Sequence, residues 1–425
     1  MTARFIYCVT AFLLLLATPA AAQTSYVHAG KLIDVLTDAV RTDQLITIRD
    51  ERIVAVGPWT GAPSDGPVTD WSKLTVLPGL IDMHTHLADF ADSNPGSVLM
   101  HSAAEAALKG ADNARATLRA GFTTVHDVGA YRGLTDVALR DAINAGWVPG
   151  PRMNVVGAYI TVPGGGGDIT GFAPDVGVPS DMRFGVSATP DDVRRNVRFL
   201  LQKRVDSIKL IASGAVLAVG SEPGRLELSV EQIRAAVEET RANGGYVTAH
   251  AHGAEAIKVA LREGVRSIEH ASLIDADGIA LAKAKGAWLV MDIYNGDYID
   301  TEGRKAGWPA EYLRKNLETT DAQRVGFRAA VKAGVKIAYG TDAGVYPHGQ
   351  NARQFAYMVR YGMTPMQAIQ SATTVAAQAL RWEKDIGAIT PGRFADMVAV
   401  AGDPLADIGV LEDVAAVMKS GVVVR

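Results

Sequence analysis

The chain reads as an α/β protein: a (β/α)8 barrel of the TIM type carrying a small β-sandwich made from its two ends. Three observations predict this. Strand-like stretches recur near 80–86, 122–127, 152–158, 207–212, 246–251, 267–271, 288–293 and 336–342 of the 425 residues. Amphipathic helical stretches such as Ser229 to Asn243 and Ala254 to Glu263 lie between them, and eight strands alternating with helices fit one barrel. Both ends instead carry short β-type stretches bounded by turns. Metal-ligating side chains also gather at the strands' carboxyl ends, where such a barrel builds its active site.

The first residues form a separate unit. Arg4 supplies a positive start, Phe12 to Leu16 an apolar stretch, and Ala20-Ala21-Ala22 a small-residue cleavage pattern. Residues 1–22 are therefore expected to be a signal peptide. The destination is periplasmic or secreted, with no membrane segment after cleavage. Cys8 is the only cysteine and leaves with this leader, so the mature chain has no disulfide. Its stability must then come from core, metal and subunit contacts, and a homo-oligomer is expected. With 48% hydrophobic residues the chain can bury a large core, and a formal charge of −4 gives no case for nucleic acid. The partner expected is a small-molecule substrate.

Residues 23–77 contain alternating stretches such as Gln44 to Arg49 and Arg52 to Gly57, and residues 386–425 read the same way. The two are expected to pair as the sandwich, leaving 78–385 for the barrel.

The first barrel strand ends in His84-Thr85-His86, and a period of two aims both imidazoles to one side. Four later strands each add ligand-type residues: Lys209, then His250 and His252, then His270, then Asp342. A single histidine or aspartate at a strand end is usually a satisfied structural group. Five strands ending this way point to a metal site at the barrel mouth. Alternation puts Asp342 on the side of the small residues Ala338 and Gly340.

Two loops are long, Tyr159 to Pro190 after the third strand and Tyr294 to Pro309 after the seventh. The run Gly164 to Gly167 lacks the Gly-Lys-Ser/Thr of a phosphate loop, which leaves a substrate lid or a merely flexible loop.

The order H-x-H, lysine, histidine, histidine, aspartate resembles the amidohydrolase superfamily. So do Val76-Leu77-Pro78-Gly79-Leu80-Ile81-Asp82-Met83-His84-Thr85-His86 and the tail Ile386-Gly387-Ala388-Ile389-Thr390-Pro391-Gly392-Arg393-Phe394-Ala395-Asp396-Met397-Val398. More narrowly, the chain resembles the branch of imidazolonepropionase-like proteins, Xaa-Pro and related dipeptidases, and ochratoxin-degrading amidohydrolases. The resemblance implies two divalent metal ions, with zinc the first expectation. His84 and His86 would hold one, His250 and His270 the other. It further implies that Lys209 is N-carboxylated and bridges them, since a neutral amine adds carbon dioxide to become an anion. The residues alone also allow a lysine snorkelling to the rim.

In this scheme Asp342 is both ligand and general base. His252 is a substrate contact or oxyanion stabiliser, or else a spare ligand. Tyr159, His126, Tyr294 and His348 are the other substrate-contact candidates, whereas His28 and His101 read as structural or surface residues. Arg132 and Arg183 are available to anchor a carboxylate. The expected reaction is hydrolysis of the amide of an N-acyl amino acid or dipeptide, with ochratoxin A, releasing phenylalanine, the specific candidate. Alternatives are an Xaa-Pro or other carboxy-terminal dipeptidase and a lactonase or cyclic-amide hydrolase. A metal-binding protein without activity is disfavoured by the intact ligand set.

Overall fold

A computed structural model describes residues 23–91 and 96–425. The signal peptide and Cys8 lie outside the described residues. Four strands open the chain: β1 (Thr24–Asp34), β2 (Ala39–Arg49), β3 (Arg52–Pro58) and β4 (Val68–Pro78). The middle holds β5 (Leu80–Thr85), β6 (Phe122–Asp127), β7 (Arg152–Val155), β8 (Tyr159–Ile160), β9 (Ile208–Ile211), β10 (Val247–Ala251), β11 (Ser267–His270), β12 (Trp288–Val290) and β13 (Lys336–Ala338). β14 (Met397–Val400), β15 (Val414–Lys419) and β16 (Val422–Val423) end it.

Strands β5 to β13 are parallel, helices separate most of them, and nearly all their residues are buried, because both faces are covered. Several helices begin with reciprocal capping at Ser102, Thr189, Ser229 and Thr364. Three end on a left-handed glycine, Gly264, Gly286 and Gly334, that turns the chain directly into β11, β12 and β13. The fold is α/β of the TIM-barrel type.

The barrel expectation needs correction in detail. The parallel strands form a three-stranded sheet, β5-β6-β7, and a six-stranded sheet, β8 to β13, not one closed ladder. The third stave breaks at Gly157, whose φ is +79° and whose N–H donates to Asp136 Oδ2 at 2.8 Å instead of to a neighbouring strand. A side chain there would collide with Val205 and Leu134. At the other seam, residues after β13 meet β5: Met83 N–H donates to the Tyr339 carbonyl and Asp342 N–H to the His84 carbonyl, both at 2.8 Å.

The sandwich expectation is also revised. The two ends do pair, through β4 antiparallel to β14, but they enter one seven-stranded sheet ordered β16-β15-β14-β4-β1-β2-β3. That sheet rolls back on itself, since Ile53 N–H donates to the Arg393 carbonyl at 2.9 Å and Gly392 N–H to the Ile53 carbonyl at 2.8 Å. Val27, Ile46, Ile48, Trp71, Met397 and Met418 pack within it. A facing second sheet is not defined among the described residues.

Candidate metal centre

Strand register brings the candidate ligands to one end. Lys209 on β9 pairs with Thr248, and His250 on β10 with Glu269. His270 ends β11, and its backbone turns into the left-handed region at φ +67°. Asp342 lies beyond β13 in the same region, at φ +57°. It reaches the centre from a turn rather than by strand alternation, which corrects the extended 336–342 strand. Left-handed residues other than glycine are uncommon, and here two of them carry candidate ligand side chains.

Each imidazole is fixed by one nitrogen and presents the other. His84 Nδ1 donates to Glu269 Oε2 at 3.0 Å, His270 Nδ1 to Asp292 Oδ1 at 3.0 Å, His86 Nδ1 to the Gly129 carbonyl at 2.8 Å, and His250 Nε2 to the Gly214 carbonyl at 3.1 Å. Carboxylate and carbonyl oxygens only accept here, so these partners set the tautomers. The remaining nitrogens carry lone pairs for a cation, the usual arrangement around ligating histidines. His84 and His86 Nε2 lie 3.3 and 3.2 Å from Asp342 Oδ1, while Asp342 Oδ2 accepts from Asn295 at 3.0 Å.

Ligand atoms of His84, His270 and Asp342 lie within 4.8 Å of one another, as do those of His250, His252 and His270. This grouping differs from the pairing of His84 with His86 and His250 with His270 read from the sequence. His252 joins the cluster, with its ring stacked 4.7 Å from that of His270 and Nδ1 2.8 Å from Ser272 Oγ. Lys209 is 1% exposed and faces the same cavity.

Electrostatics sort the cluster. Burial and the neighbouring His270 keep the pKa of both His250 and His252 well below the ordinary value, so both are neutral. Burial also lowers that of Lys209, against the pull of Glu269, Asp342 and Asp292. For His84 and His86 burial opposes protonation, yet Asp342 raises both. The carboxylates are held ionised despite burial: Glu269 down to about 2 by His84 and Lys209, Asp292 to about 2 by His270, and Asp342 well below the usual range by His84 and His86. Imidazole nitrogens beside carboxylate oxygens, with His250 and His252 neutral, are a donor set that fits divalent cations.

Sequence reasoning missed Glu269 and Asp292. Both had a signal: a charge inside a buried strand, and a carboxylate just past a strand end. It also missed residues 215–219 after β9, which line the cavity along with residues of both long loops.

Four other placements are corrected. His126 is fully buried, does not line the cavity, and meets Ser207 Oγ at 3.0 Å towards the amino ends of the strands; burial pushes its pKa down to about 3. His348 donates to the His86 carbonyl at 3.2 Å and braces it from behind. Tyr294 turns away from the cavity to accept from Arg353 at 3.0 Å and packs against Tyr346 and Tyr357. His101, read as a structural or surface residue, lines the mouth and stacks on Phe90. Tyr159 does line the cavity, its hydroxyl 3.2 Å from His86 Nδ1. Its ring passes so close to Gly129 that any side chain there would collide with it.

The cavity holds about 230 Å³, with largely apolar walls that include Phe90, Val98, Tyr131, Ile169, Val216 and Tyr312. Arg132 lines it, and donates to the His101 carbonyl at 2.8 Å and to Asp181 at 3.3 Å; Arg183 is not on its wall.

The profile of the Amidohydrolase family matches residues 75–424. The chain belongs to the amidohydrolase family. It is a hydrolase of carbon–nitrogen bonds. It is 30% identical to the ochratoxinase of Aspergillus niger over 426 residues, covering 95% of this chain and 86% of that protein. A solved Xaa-Pro dipeptidase with methionine bound in its active site is 37% identical, with a TM-score of 0.89 over 94% of this chain and 99% of that one. The imidazolonepropionase of Streptomyces coelicolor is 26% identical over 84% of each chain. Among the described residues no helix is long and apolar enough to cross a membrane.

Proposed function

We propose that this amidohydrolase cleaves the amide joining an acyl group to an amino acid with a free carboxylate. Ochratoxin A, giving phenylalanine, is the specific candidate. The observation that carries the reading is the cluster of imidazoles, Lys209 and Asp342 lining one cavity that also carries a guanidinium on its wall. The likeness to ochratoxinase supports an N-acyl phenylalanine substrate. The Xaa-Pro dipeptidase supports the second reading, a dipeptide, which needs the same floor and the same carboxylate anchor.

Two divalent cations, zinc first among candidates, would be held by His84, His86, Lys209, His250, His270 and Asp342. When bound they supply Lewis-acid polarisation of the carbonyl and lower the pKa of water. Lys209, whose pKa burial lowers, would in its neutral form take up carbon dioxide with loss of a proton, giving an anionic carbamate able to serve as a metal ligand. Asp342 stays ionised, so it accepts a proton from the attacking water and returns it to the leaving nitrogen. His252 keeps one nitrogen on Ser272 and turns the other towards the cavity, where it hydrogen-bonds the carbonyl oxygen. Arg132 anchors the substrate carboxylate through the one N–H that its bonds to the His101 carbonyl and to Asp181 leave over. Residues 1–22 direct export, where an external amide would be met.

The test is amino-acid release, followed by chromatography, from ochratoxin A, N-acyl-phenylalanine, Xaa-Pro dipeptides and a lactone panel. Turnover of the amides supports the reading. Preference for lactones, or indifference to blocking the substrate carboxylate, contradicts it.

A further inference from the structure

Asn295 opens the short helix Asn295–Tyr298 after β12 and is 5% exposed. Its backbone is held from both sides. Tyr294 N–H donates to Gln354 Oε1 at 3.2 Å, and the Gly296 carbonyl accepts from Asn316 Nδ2 at 2.8 Å. Gly296 also packs so closely on Thr320 that a Cβ there would collide with it. A buried side chain on so constrained a backbone has little freedom in where it points.

Its amide stands between two carboxylates. Nδ2 donates to Asp342 Oδ2 at 3.0 Å and to Asp292 Oδ2 at 3.1 Å. Carboxylate oxygens accept, so the NH2 group must face them and Oδ1 must turn away. Oδ1 is buried and has no hydrogen-bond partner among the described residues. An unpaired buried acceptor is costly, yet the flipped amide would set an oxygen against two carboxylates. The two carboxylates therefore dictate how this side chain sits.

Those carboxylates are not equally fixed. Asp292 is pinned through Oδ1 by His270 Nδ1 at 3.0 Å and Gln323 Nε2 at 2.9 Å, and Gln323 is itself tied to the His270 carbonyl at 3.0 Å. Asp342 sits on a left-handed turn with Oδ1 towards His84 and His86, and Asn295 is the donor that holds its Oδ2.

We propose that Asn295 is a positioning residue for the hydrolysis: it carries the fixed geometry of the His270–Asp292 pair across to Asp342 and holds that carboxylate where it meets the attacking water. This rests on the amide-hydrolase reading and deepens it. Each carboxylate oxygen has two lone pairs, so Oδ2 can keep the Asn295 bond while a proton is accepted. That proton passes from water to Asp342 and on to the leaving nitrogen, and Asn295 neither gains nor loses one. Without the amide, Asp342 can swing about its side-chain torsions, and a misplaced base loses rate rather than affinity.

The experiment is a double-mutant cycle of Asn295→Ala with Asp342→Asn, read as kcat and KM of the zinc-loaded protein on ochratoxin A and Ala-Pro. Asn295→Ala should lower kcat about ten- to a hundredfold with little change in KM. In the Asp342→Asn background the same change should cost little more, because the group it positions is gone. Asn295→Asp, which keeps the shape but withdraws both N–H donors, should lose at least as much as Asn295→Ala. The same cycle is read without substrate, by thermal unfolding of the full chain in chelator. There the double variant's unfolding constant should fall short of the product of the single effects by about ten-fold or more. Additive effects in either reading overturn the proposal while leaving amide hydrolysis standing. So does near-normal kcat in Asn295→Asp, which would make Asn295 a space-filler. If the unmodified protein cleaves neither amide, the amide reading fails, and this proposal with it.

Discussion

Glu269 Oε2 lies 3.0 Å from His84 Nδ1, and both side chains are buried. Thr248 and Ser267 also donate to this carboxylate, so it is fixed on two sides before it orients the imidazole. A partner of this kind sets ring orientation and basicity.

Glu269→Gln should therefore weaken divalent-metal affinity about 10- to 100-fold. Competition between the protein and a chromophoric chelator measures it. Unchanged affinity would mean that Glu269 only fills space.

Asp342→Asn keeps an oxygen towards His84 and His86 but cannot accept a proton. Turnover should fall about a hundredfold or more, and it should fall further than metal content. Parallel kinetics and metal analysis check this, and near-normal turnover would send the proton elsewhere.

Acid should release metal through His84 and His86. Asp342 raises the pKa of both, so protons compete for their lone pairs as pH falls through those raised values. His250 and His252, shifted the other way, do not compete there. The metal-free protein should behave in the opposite sense. Its protonated His84 and His86 stabilise it fully below the ordinary histidine pKa, and that contribution is lost as pH rises through the raised values. Melting curves with and without metal between about pH 6 and 9 should diverge as pH rises, and a constant gap would contradict this.

Lys315 is fully buried and donates to the carbonyls of Ala218 and Ser221 and to Glu311, tying the helix Ala310–Ala333 to the cavity-lining segment after β9. Lys315→Met strands two carbonyls, so stability should drop by about 2–4 kcal/mol and KM should rise more than kcat falls. A lower melting temperature with unchanged KM would separate this tie from substrate binding.

Much of this centre is legible in the sequence because a strand has a strict period of two. His84, Lys209, His250 and His270 sit on strands or at their ends, and the residue types alone point to a cation. What escaped depends on the third dimension. Gly157 breaks the third stave by turning into a positive φ with its N–H on Asp136, and Val205 and Leu134 leave no room for a Cβ there, which no local pattern announces. Asp342 arrives through a left-handed turn, so alternation named the right residue by the wrong path. His126, Tyr294 and His348 are polar residues near strand ends, like the ligands, but tertiary packing gives their polar atoms partners away from the cavity. Glu269 and Asp292 were readable, since an ionisable residue in or just past a buried strand needs a partner nearby. The two chain ends were seen to pair, but not that a rolled single sheet would serve in place of two.

The central claim is that this cluster is a metal centre that hydrolyses amides. Its most direct test is amino-acid release from ochratoxin A and Xaa-Pro dipeptides by one preparation, first as purified, then stripped by a chelator, then reloaded with zinc. Turnover should vanish on stripping and return on reloading, with close to two metal ions bound per chain. Full turnover in the stripped protein would contradict the account.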